Sequence, residues 1–184
     1  MLSPEHQTVA DGTAPGLPAG VLLRPRLVRN AGAALLTIAL LLLVAFVAEP
    51  LRVTSGSMAP TLQRGDQVLI AKVGSRVPAP RRRDIVSFPR PASGELLVKR
   101  VAAVAGDSVG IEDGVLVVNG TAVREAYVDA TLMDGTYFGP VIVPSGEIFV
   151  LGDDRPNSVD SRSFGPVPTS RITGRVWARI WPRR

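Results

Sequence analysis

The pattern of apolar and polar positions divides the chain into one long uncharged run and a series of short apolar segments. The run, AGAALLTIALLLLVAFVA at residues 31–48, follows Arg24, Arg26 and Arg29. As a helix it would rise about 27 Å, close to the thickness of the hydrocarbon core of a bilayer. We therefore predict an uncleaved transmembrane helix with its arginine-rich N-terminal side in the cytoplasm.

Two other interpretations of the run are a cleaved signal peptide and a buried helix. Cleavage after Ala48 would place the bulky Phe46 where a small residue is needed. A helix of so small a domain is seldom apolar on every face. The preceding residues, 1–30, contain a stretch rich in proline and glycine with no helical or strand period, and we expect a disordered cytoplasmic tail.

The short apolar segments lie in residues 49–184 and predict a mostly β domain outside the cytoplasm. They are rich in Val, Ile and Leu and are bounded by Gly, Pro and Asp. Asn119-Gly120 indicates a two-residue hairpin, and Asp113-Gly114 indicates a second turn. The predicted strands are 66–72, 84–88, 95–104, 114–118, 141–151 and 173–181.

Composition narrows the chemistry that this domain can perform. The 184 residues include no cysteine and a single histidine, His6. Thiol catalysis, disulfides and cysteine-based metal sites are thereby excluded, and a Ser-His-Asp triad or a histidine-ligated metal is not expected. Aromatic residues make up 5% of the chain, too few for a base-stacking surface. The net charge of +5 suits anionic lipid as well as nucleic acid. We expect no metal, cofactor or nucleic-acid partner.

Two segments carry residues suited to hydrolysis without histidine. SGSMAPTL at 55–62 places two serines around a glycine, in a turn that can present a hydroxyl to a cleft. Lys99 lies inside an apolar strand, on the same face as Leu97 and Val101. Burial would lower its pKa and allow a neutral amine to accept a serine proton. For the serine segment the alternative is an ordinary loop. For Lys99 the alternative is a lysine on an edge strand whose amine reaches water.

A third segment, GDDRPNSVDSRSFGPV at 152–167, is dense in acids, arginines and serines. This density is typical of a rigid, hydrogen-bonded loop. A solvated loop is one alternative, and a cation site built from Asp153, Asp154 and Asp160 is another. The interleaved arginines oppose calcium binding, and no run of alternating oxygen ligands is present.

Together with RRDIVSF at 82–88 and KRVAAVAGD at 99–107, these segments resemble, in this order, the type I signal peptidases, membrane-anchored serine proteases with a Ser/Lys dyad. The resemblance covers about residues 49–181. It implies an antiparallel β-sheet or barrel-like catalytic domain, with only a small insertion at about 108–140. Thr54 and Asp154 depart from the family pattern, in which proline and asparagine are frequent.

The resemblance implies a role for each matched residue. Ser57 is similar to the nucleophile and Lys99 to the general base. Ser158 resembles the serine that hydrogen-bonds the lysine, while the Ser55 hydroxyl and the Ser57 N–H resemble the oxyanion hole. Residues expected to have a structural role near the site are Asp153, Arg155, Asp160 and Arg162. Candidate linings of shallow apolar substrate pockets, with core packing as the alternative, are Met58, Leu62, Leu97 and Val98.

The implied function is an endopeptidase that removes signal peptides from exported preproteins. It would cut after small residues, in an Ala-X-Ala-like pattern, at the outer face of the membrane and through an acyl-enzyme. Its expected partners are secretory preproteins, the lipid bilayer and the protein-export machinery. Trp177 and Trp181 would lie at the membrane interface or pack against the domain. The alternatives are a self-cleaving Ser/Lys protease, similar to certain repressor proteins, and an inactive adaptor that binds preproteins.

Overall fold

The computed structural model describes residues 25–72, 79–129 and 134–181, and the chain forms two units, residues 1–41 and 42–184. Helix α1, Pro25–Val47, begins in the first unit, earlier than the predicted start at residue 31. Pro25 suits a first helical turn because its φ is fixed near the helical value. No helix among the described residues is both long and apolar enough to span a membrane. The predicted tail up to residue 24 lies outside the described residues.

The second unit is built almost entirely from antiparallel strands, which confirms the predicted mostly β class. Its strands are β1 Ala48–Arg52, β2 Gln67–Lys72, β3 Ile85–Pro89, β4 Leu96–Val104, β5 Ser108–Glu112, β6 Val115–Val118, β7 Thr121–Ala122, β8 Phe138–Ile142, β9 Glu147–Leu151, β10 Val167–Pro168 and β11 Gly174–Trp181. A short helix, α2 (Ser161–Phe164), and a 3-10 turn, Thr169–Arg171, precede and follow β10.

The strands form two sheets. The larger sheet has the order β1-β2-β11-β3-β4-β9-β10, and the smaller has the order β7-β6-β5-β8. The smaller sheet lies within residues 108–142, where a small insertion is expected. Its hairpins turn at Asp113-Gly114 and Asn119-Gly120, and all four turn residues have positive φ. This is the conformation that two-residue hairpins require, so both predicted turns are confirmed.

Strand β9 explains how the two sheets share one interior. Phe149 and Leu151 pack into a cluster with residues of β5 and β6, whereas Ile148 and Val150 pack on the opposite face against β3. Side chains alternate across a strand, so a strand that is buried on both faces joins the two clusters. A third cluster, around Val68, packs beneath residues 53–62.

The strand predictions were wrong where glycine or proline interrupts the apolar pattern. Residues 141–151 do not form one strand, because a turn at Pro144 to Gly146 separates β8 from β9. Strand β5 was not predicted because Gly110 interrupts its apolar pattern. Glycine is needed at this position, since a Cβ there would lie 3.1 Å from the Phe138 carbonyl oxygen. Strand β1 contains Pro50, which is tolerated because β1 is an edge strand.

Because the two sheets share one interior, we expect the stability of the domain to depend on close packing in the cluster that contains Phe149. We expect Phe149→Ala to lower the free energy of unfolding by about 3–5 kcal/mol, because the lost ring leaves a cavity that the sheets cannot close. Ile142→Ala removes a side chain that is 64% exposed and serves as the control. The measurement is urea denaturation followed by far-ultraviolet circular dichroism. Equal losses in both variants would contradict the assigned core.

Candidate active site

The turn at residues 55–62 holds Ser57 in place through the apolar residues that follow it. Met58 and Leu62 are buried in the cluster around Val68. Within the turn, the Ala59 N–H donates to the Gly56 carbonyl at 2.9 Å, and the Leu62 N–H donates to the Met58 carbonyl at 2.8 Å. Ser57 itself is only 7% exposed. The segment that the sequence predicted as a turn is therefore a packed turn whose serine is largely shielded from bulk water.

Lys99 meets Ser57 in the interior. It lies in the middle of β4, opposite Val86 of β3, and is 2% exposed. Its Nζ donates a hydrogen bond of 2.6 Å to Ser57 Oγ. The two residues are 42 positions apart in the chain, so the packing of the sheet, and no local motif, brings them together. The structure thus brings the hydroxyl and the amine that the sequence singled out into direct contact.

Burial lowers the pKa of Lys99 from 10.5 to about 8. The neighbouring charges have smaller and opposing effects: Asp160, Asp153 and Glu95 raise this pKa, whereas Arg162 lowers it. Loss of hydration disfavours an ammonium ion more than a neutral amine. At mildly alkaline pH a large share of Lys99 is therefore neutral, and a neutral amine can accept the proton of the hydroxyl that it contacts.

The two remaining serines implied by the resemblance lie close to Ser57. The Ser55 hydroxyl is 3.2 Å from Ser57 Oγ. Ser158 Oγ is buried and has no hydrogen-bond partner in the described part of the chain, so the contact with Lys99 implied by the resemblance is not present. A Cβ added to Gly152 would lie 2.1 Å from Ser158 Oγ and 2.6 Å from the Ser57 carbonyl oxygen. Only glycine lets the serine and this carbonyl approach so closely.

The loop after β9 is held rigid by ion pairs and by one contact with the nucleophile turn. Asp160, fully buried, caps helix α2 and accepts hydrogen bonds of 2.8 and 2.9 Å from Arg162. Asp160 also accepts from the Gly152 N–H at 3.0 Å. The Asp154 N–H donates to the Ser57 carbonyl at 3.1 Å. The loop therefore fixes the backbone of the candidate nucleophile.

Three residues near the site received no role from the sequence. Asp153 forms two hydrogen bonds with Arg100, of 2.8 and 2.6 Å. Arg155 pairs with Glu125 at 2.5 Å, and the Tyr127 ring lies against Arg100. The sequence could have identified Arg100 as a residue of the site, because an arginine next to a buried lysine in an apolar strand needs an acidic partner nearby. Neither Glu125 nor Tyr127 lies in a recognisable motif.

A cavity of about 280 Å³ lies beside the nucleophile turn. Of the predicted pocket residues, Met58, Leu97 and Val98 line it, whereas Leu62 lies in the core. The other lining residues come from the two flanking segments, 51–55 and 95–96. Strand β9 pairs with β4 only from Arg100 onward, so this side of residues 96–98 has no strand partner among the described residues. The cavity therefore joins an apolar surface to an open strand edge.

No group of three or more His, Cys, Asp or Glu residues is arranged to hold a metal ion in the ranges that the structure describes. The residues that meet at the site are instead suited to acyl transfer. A hydroxyl contacts a basic amine, a second hydroxyl lies at 3.2 Å, and an apolar cavity adjoins them. This arrangement can activate the serine and stabilise a negative oxygen beside it.

Comparison with known proteins places the chain among proteases of one family. The family model described as signal peptidase, peptidase S26, matches residues 27–181. A probable signal peptidase I-2 from Synechocystis is 39% identical over 143 residues, which are 74% of this chain and 65% of the relative. Thylakoidal processing peptidase 1 of Arabidopsis thaliana is 39% identical over 148 residues, 74% of this chain and 43% of the relative.

Signal peptidase I of Bacillus caldolyticus is 38% identical over 149 residues, covering 74% of this chain and 81% of that protein. The chain thus spans less than two thirds of the first two relatives and most of the third. The family model covers both the nucleophile turn and the lysine strand, together with the loop that follows β9. On these matches, the chain belongs to the signal peptidase family, peptidase S26.

Proposed function

We propose that this protein is a serine endopeptidase that removes N-terminal signal peptides from exported preproteins through a Ser57/Lys99 dyad. The observation that carries the proposal is the 2.6 Å contact between the buried Lys99 amine and Ser57 Oγ. A serine hydroxyl is a weak nucleophile unless a base takes its proton. In this site the neutral amine of Lys99 is the base in contact with that hydroxyl, and its lowered pKa suits the task.

The reaction proceeds in two halves. Neutral Lys99 takes the proton of Ser57 Oγ while the oxygen attacks the scissile carbonyl, and the lysine then passes the proton to the leaving amine. The resulting acyl-enzyme is hydrolysed by a water that Lys99 deprotonates, which regenerates the Ser57 hydroxyl. The Ser55 hydroxyl and the Ser57 N–H stabilise the oxyanion in both halves, and one such donor is typically worth about 3–4 kcal/mol.

Substrate selection follows from the cavity and the adjoining strand edge. An extended peptide can pair with the open edge of β4 at residues 96–98 and place alternate side chains against Met58, Leu97 and Val98. A cavity of about 280 Å³ that is shared between neighbouring side chains favours small residues. This supports cleavage after an Ala-X-Ala-like pattern. Asp153 and Asp160, held by arginines, keep the loop in place as structural residues.

The apolar run at residues 31–48 supports a membrane location for this activity. We place it as a single span with the N-terminus in the cytoplasm and the catalytic domain outside. Enzyme and substrate then share one bilayer, which raises the effective concentration of the scissile bond. Trp177 and Trp181 are 73% and 65% exposed and are available for the membrane interface. Preproteins that emerge from the export machinery are the substrates.

The dyad predicts a specific loss of activity. In detergent, the full chain should cleave a preprotein that carries an Ala-X-Ala site, and both Ser57→Ala and Lys99→Ala should lower the rate by at least about a thousandfold. Lys72→Ala, at the other of the two lysines of the chain, is the matched control and should retain the rate. Full activity in Lys99→Ala would overturn the dyad. Self-cleavage alone would indicate the repressor-like protease, and binding without cleavage the adaptor.

The lowered pKa of Lys99 predicts how the rate depends on pH. Only the neutral amine is a base, so kcat/KM should rise through an apparent pKa of about 8 and level off above it. About one tenth of the enzyme would be active at pH 7 and about nine tenths at pH 9. The measurement is kcat/KM for a peptide substrate from pH 6 to 10. A midpoint near 10.5 would show that Lys99 is hydrated and contradict the proposal.

The membrane span predicts the behaviour of the full chain in cells. It should sediment with membranes and resist extraction by alkaline carbonate. Ile38→Arg puts a charge in the middle of the apolar run, at a cost of about 2.5–3.5 kcal/mol, and should release part of the protein. Ile38→Val is the control. Complete extraction of the unaltered chain by carbonate would contradict the anchor.

A further inference from the structure

The segment after β7, residues 123–129, reaches from the smaller sheet to the catalytic elements. It leaves that sheet with a hydrogen bond of 2.8 Å from the Val123 N–H to the Leu116 carbonyl. Glu125 and Tyr127 are two residues apart in this segment, and both contact arginines at the site. We call residues 123–129 the arm. None of its residues belongs to the motifs that define the dyad.

The first contact of the arm is with Arg100, which directly follows Lys99 in β4. The Arg100 guanidinium lies 3.9 Å from the centre of the Tyr127 ring, within the range of a cation–π interaction. The same guanidinium makes its two hydrogen bonds with Asp153, which is buried. One face of Arg100 is therefore covered by the arm while its edge is held by the loop after β9.

The second contact is a buried ion pair. Arg155 Nη2 and Glu125 Oε2 are 2.5 Å apart, and the two side chains are 1% and 7% exposed. The Arg155 Nε also donates to the Gly152 carbonyl at 3.0 Å. Removing one partner of so deeply buried a pair leaves an uncompensated charge, which is costly. The arm is thus tied to the loop as well as to the strand.

Tyr127 links these two contacts. Its hydroxyl donates to Glu125 Oε1 at 2.9 Å. Burial, together with the Glu125 carboxylate, raises the pKa of Tyr127 above its ordinary value, so the phenol keeps its proton and remains a donor. The contacts form an open series of five side chains that contains two cations, two anions and one phenol, and both of its ends lie in the loop after β9: Asp153, Arg100, Tyr127, Glu125 and Arg155.

This series of contacts joins the two elements whose separation decides whether the dyad can form. Arg100 fixes the strand that carries Lys99, and the loop segment between Asp153 and Arg155 contains the Asp154 N–H that holds the Ser57 carbonyl. A displacement of about 1 Å between base and nucleophile can cost as much as a hundredfold in rate. Among the described residues outside the strand and the loop, the arm alone contacts both Arg100 and Arg155.

We propose that Glu125 and Tyr127 are positioning residues of the peptidase, which hold the Lys99 strand and the Ser57 loop at the distance that catalysis requires. This inference rests on the proposed function. It assigns a part in the reaction to a segment that leaves the smaller sheet after β7. A purely structural role would lower stability without changing the dyad. A positioning role changes the dyad itself.

The test compares Tyr127→Leu, which removes the ring and the hydroxyl, with Tyr127→Phe, which keeps the ring over Arg100. Tyr137→Leu alters the other tyrosine of the chain, 69% exposed, and is the matched control. We expect Tyr127→Leu to lower kcat about tenfold with KM changed less than about twofold, because the dyad is disturbed and the substrate cavity is not. The kcat of Tyr127→Phe should stay close to that of the unaltered enzyme, because the ring over Arg100 is kept. The kcat of Tyr137→Leu should equal that of the unaltered enzyme.

Glu125→Gln tests the ion pair between the arm and Arg155, because it removes the charge of Glu125 and keeps the shape of the side chain. It should also lower kcat, because the Arg155 charge is left buried without a counter-ion and the loop shifts. Glu112→Gln, at an exposed position of β5, is its control. Thermal unfolding of every variant is measured alongside the kinetics. Lower melting temperatures with unchanged kcat in both arm variants would overturn the proposal.

A second measurement needs no activity. The chain has two lysines, so a ¹³C-lysine-labelled sample gives two signals that the Lys72→Arg variant assigns. Separation of strand and loop lets water reach Lys99, and its pKa should rise from about 8 in Tyr127→Leu but not in Tyr137→Leu. An unchanged Lys99 titration would overturn the positioning role. If the unaltered enzyme cleaves no preprotein, the proposed function fails, and this titration alone decides on the arm.

Discussion

The placement of an amine in the protein interior is the constraint on which the catalytic domain depends. Lowering the pKa of Lys99 from 10.5 to about 8 costs about 3 kcal/mol of folding free energy at neutral pH. Because the folded pKa is below the unfolded value, this cost is complete below pH about 8 and disappears as the pH approaches 10.5. The domain therefore sacrifices stability at the pH where the lysine is protonated, and gains a base that works without histidine.

The fold offsets this cost by burying β4 and β9, neighbours in the larger sheet, on both of their faces. The apolar residues near Lys99 in β4 pack into or against three separate clusters, and Lys99 reaches Ser57 from the middle of that strand. The nucleophile turn is fixed separately, by Met58 and Leu62 beneath it and by the Asp154 N–H beside it. Apolar packing sets the depth of the amine, and apolar packing together with a backbone hydrogen bond sets the position of the hydroxyl.

The sequence predicted the elements whose signal is local. Asn119-Gly120 and Asp113-Gly114 turn as expected because positive φ is a property of those residues themselves. Strand β5 was missed because Gly110 is present for a close approach to Phe138, which is distant in the chain. Ser57 and Lys99 could be singled out through a family resemblance. The Glu125 and Tyr127 contacts could not, since they depend on where the smaller sheet places the residues after β7.

The pairing of Asp160 with Arg162 helps to explain why burial has a larger effect on the pKa of Lys99 than the nearby charges have. A lone carboxylate near the amine would favour the ammonium and remove the base. Asp160 is paired with Arg162, which lowers the pKa of Lys99 and so opposes the effect of Asp160, and Asp153 is paired with Arg100. Desolvation is then the largest influence on the amine. The acid-rich loop can therefore be rigid and hydrogen-bonded while Lys99 keeps its lowered pKa, provided that Asp160 keeps its partner Arg162.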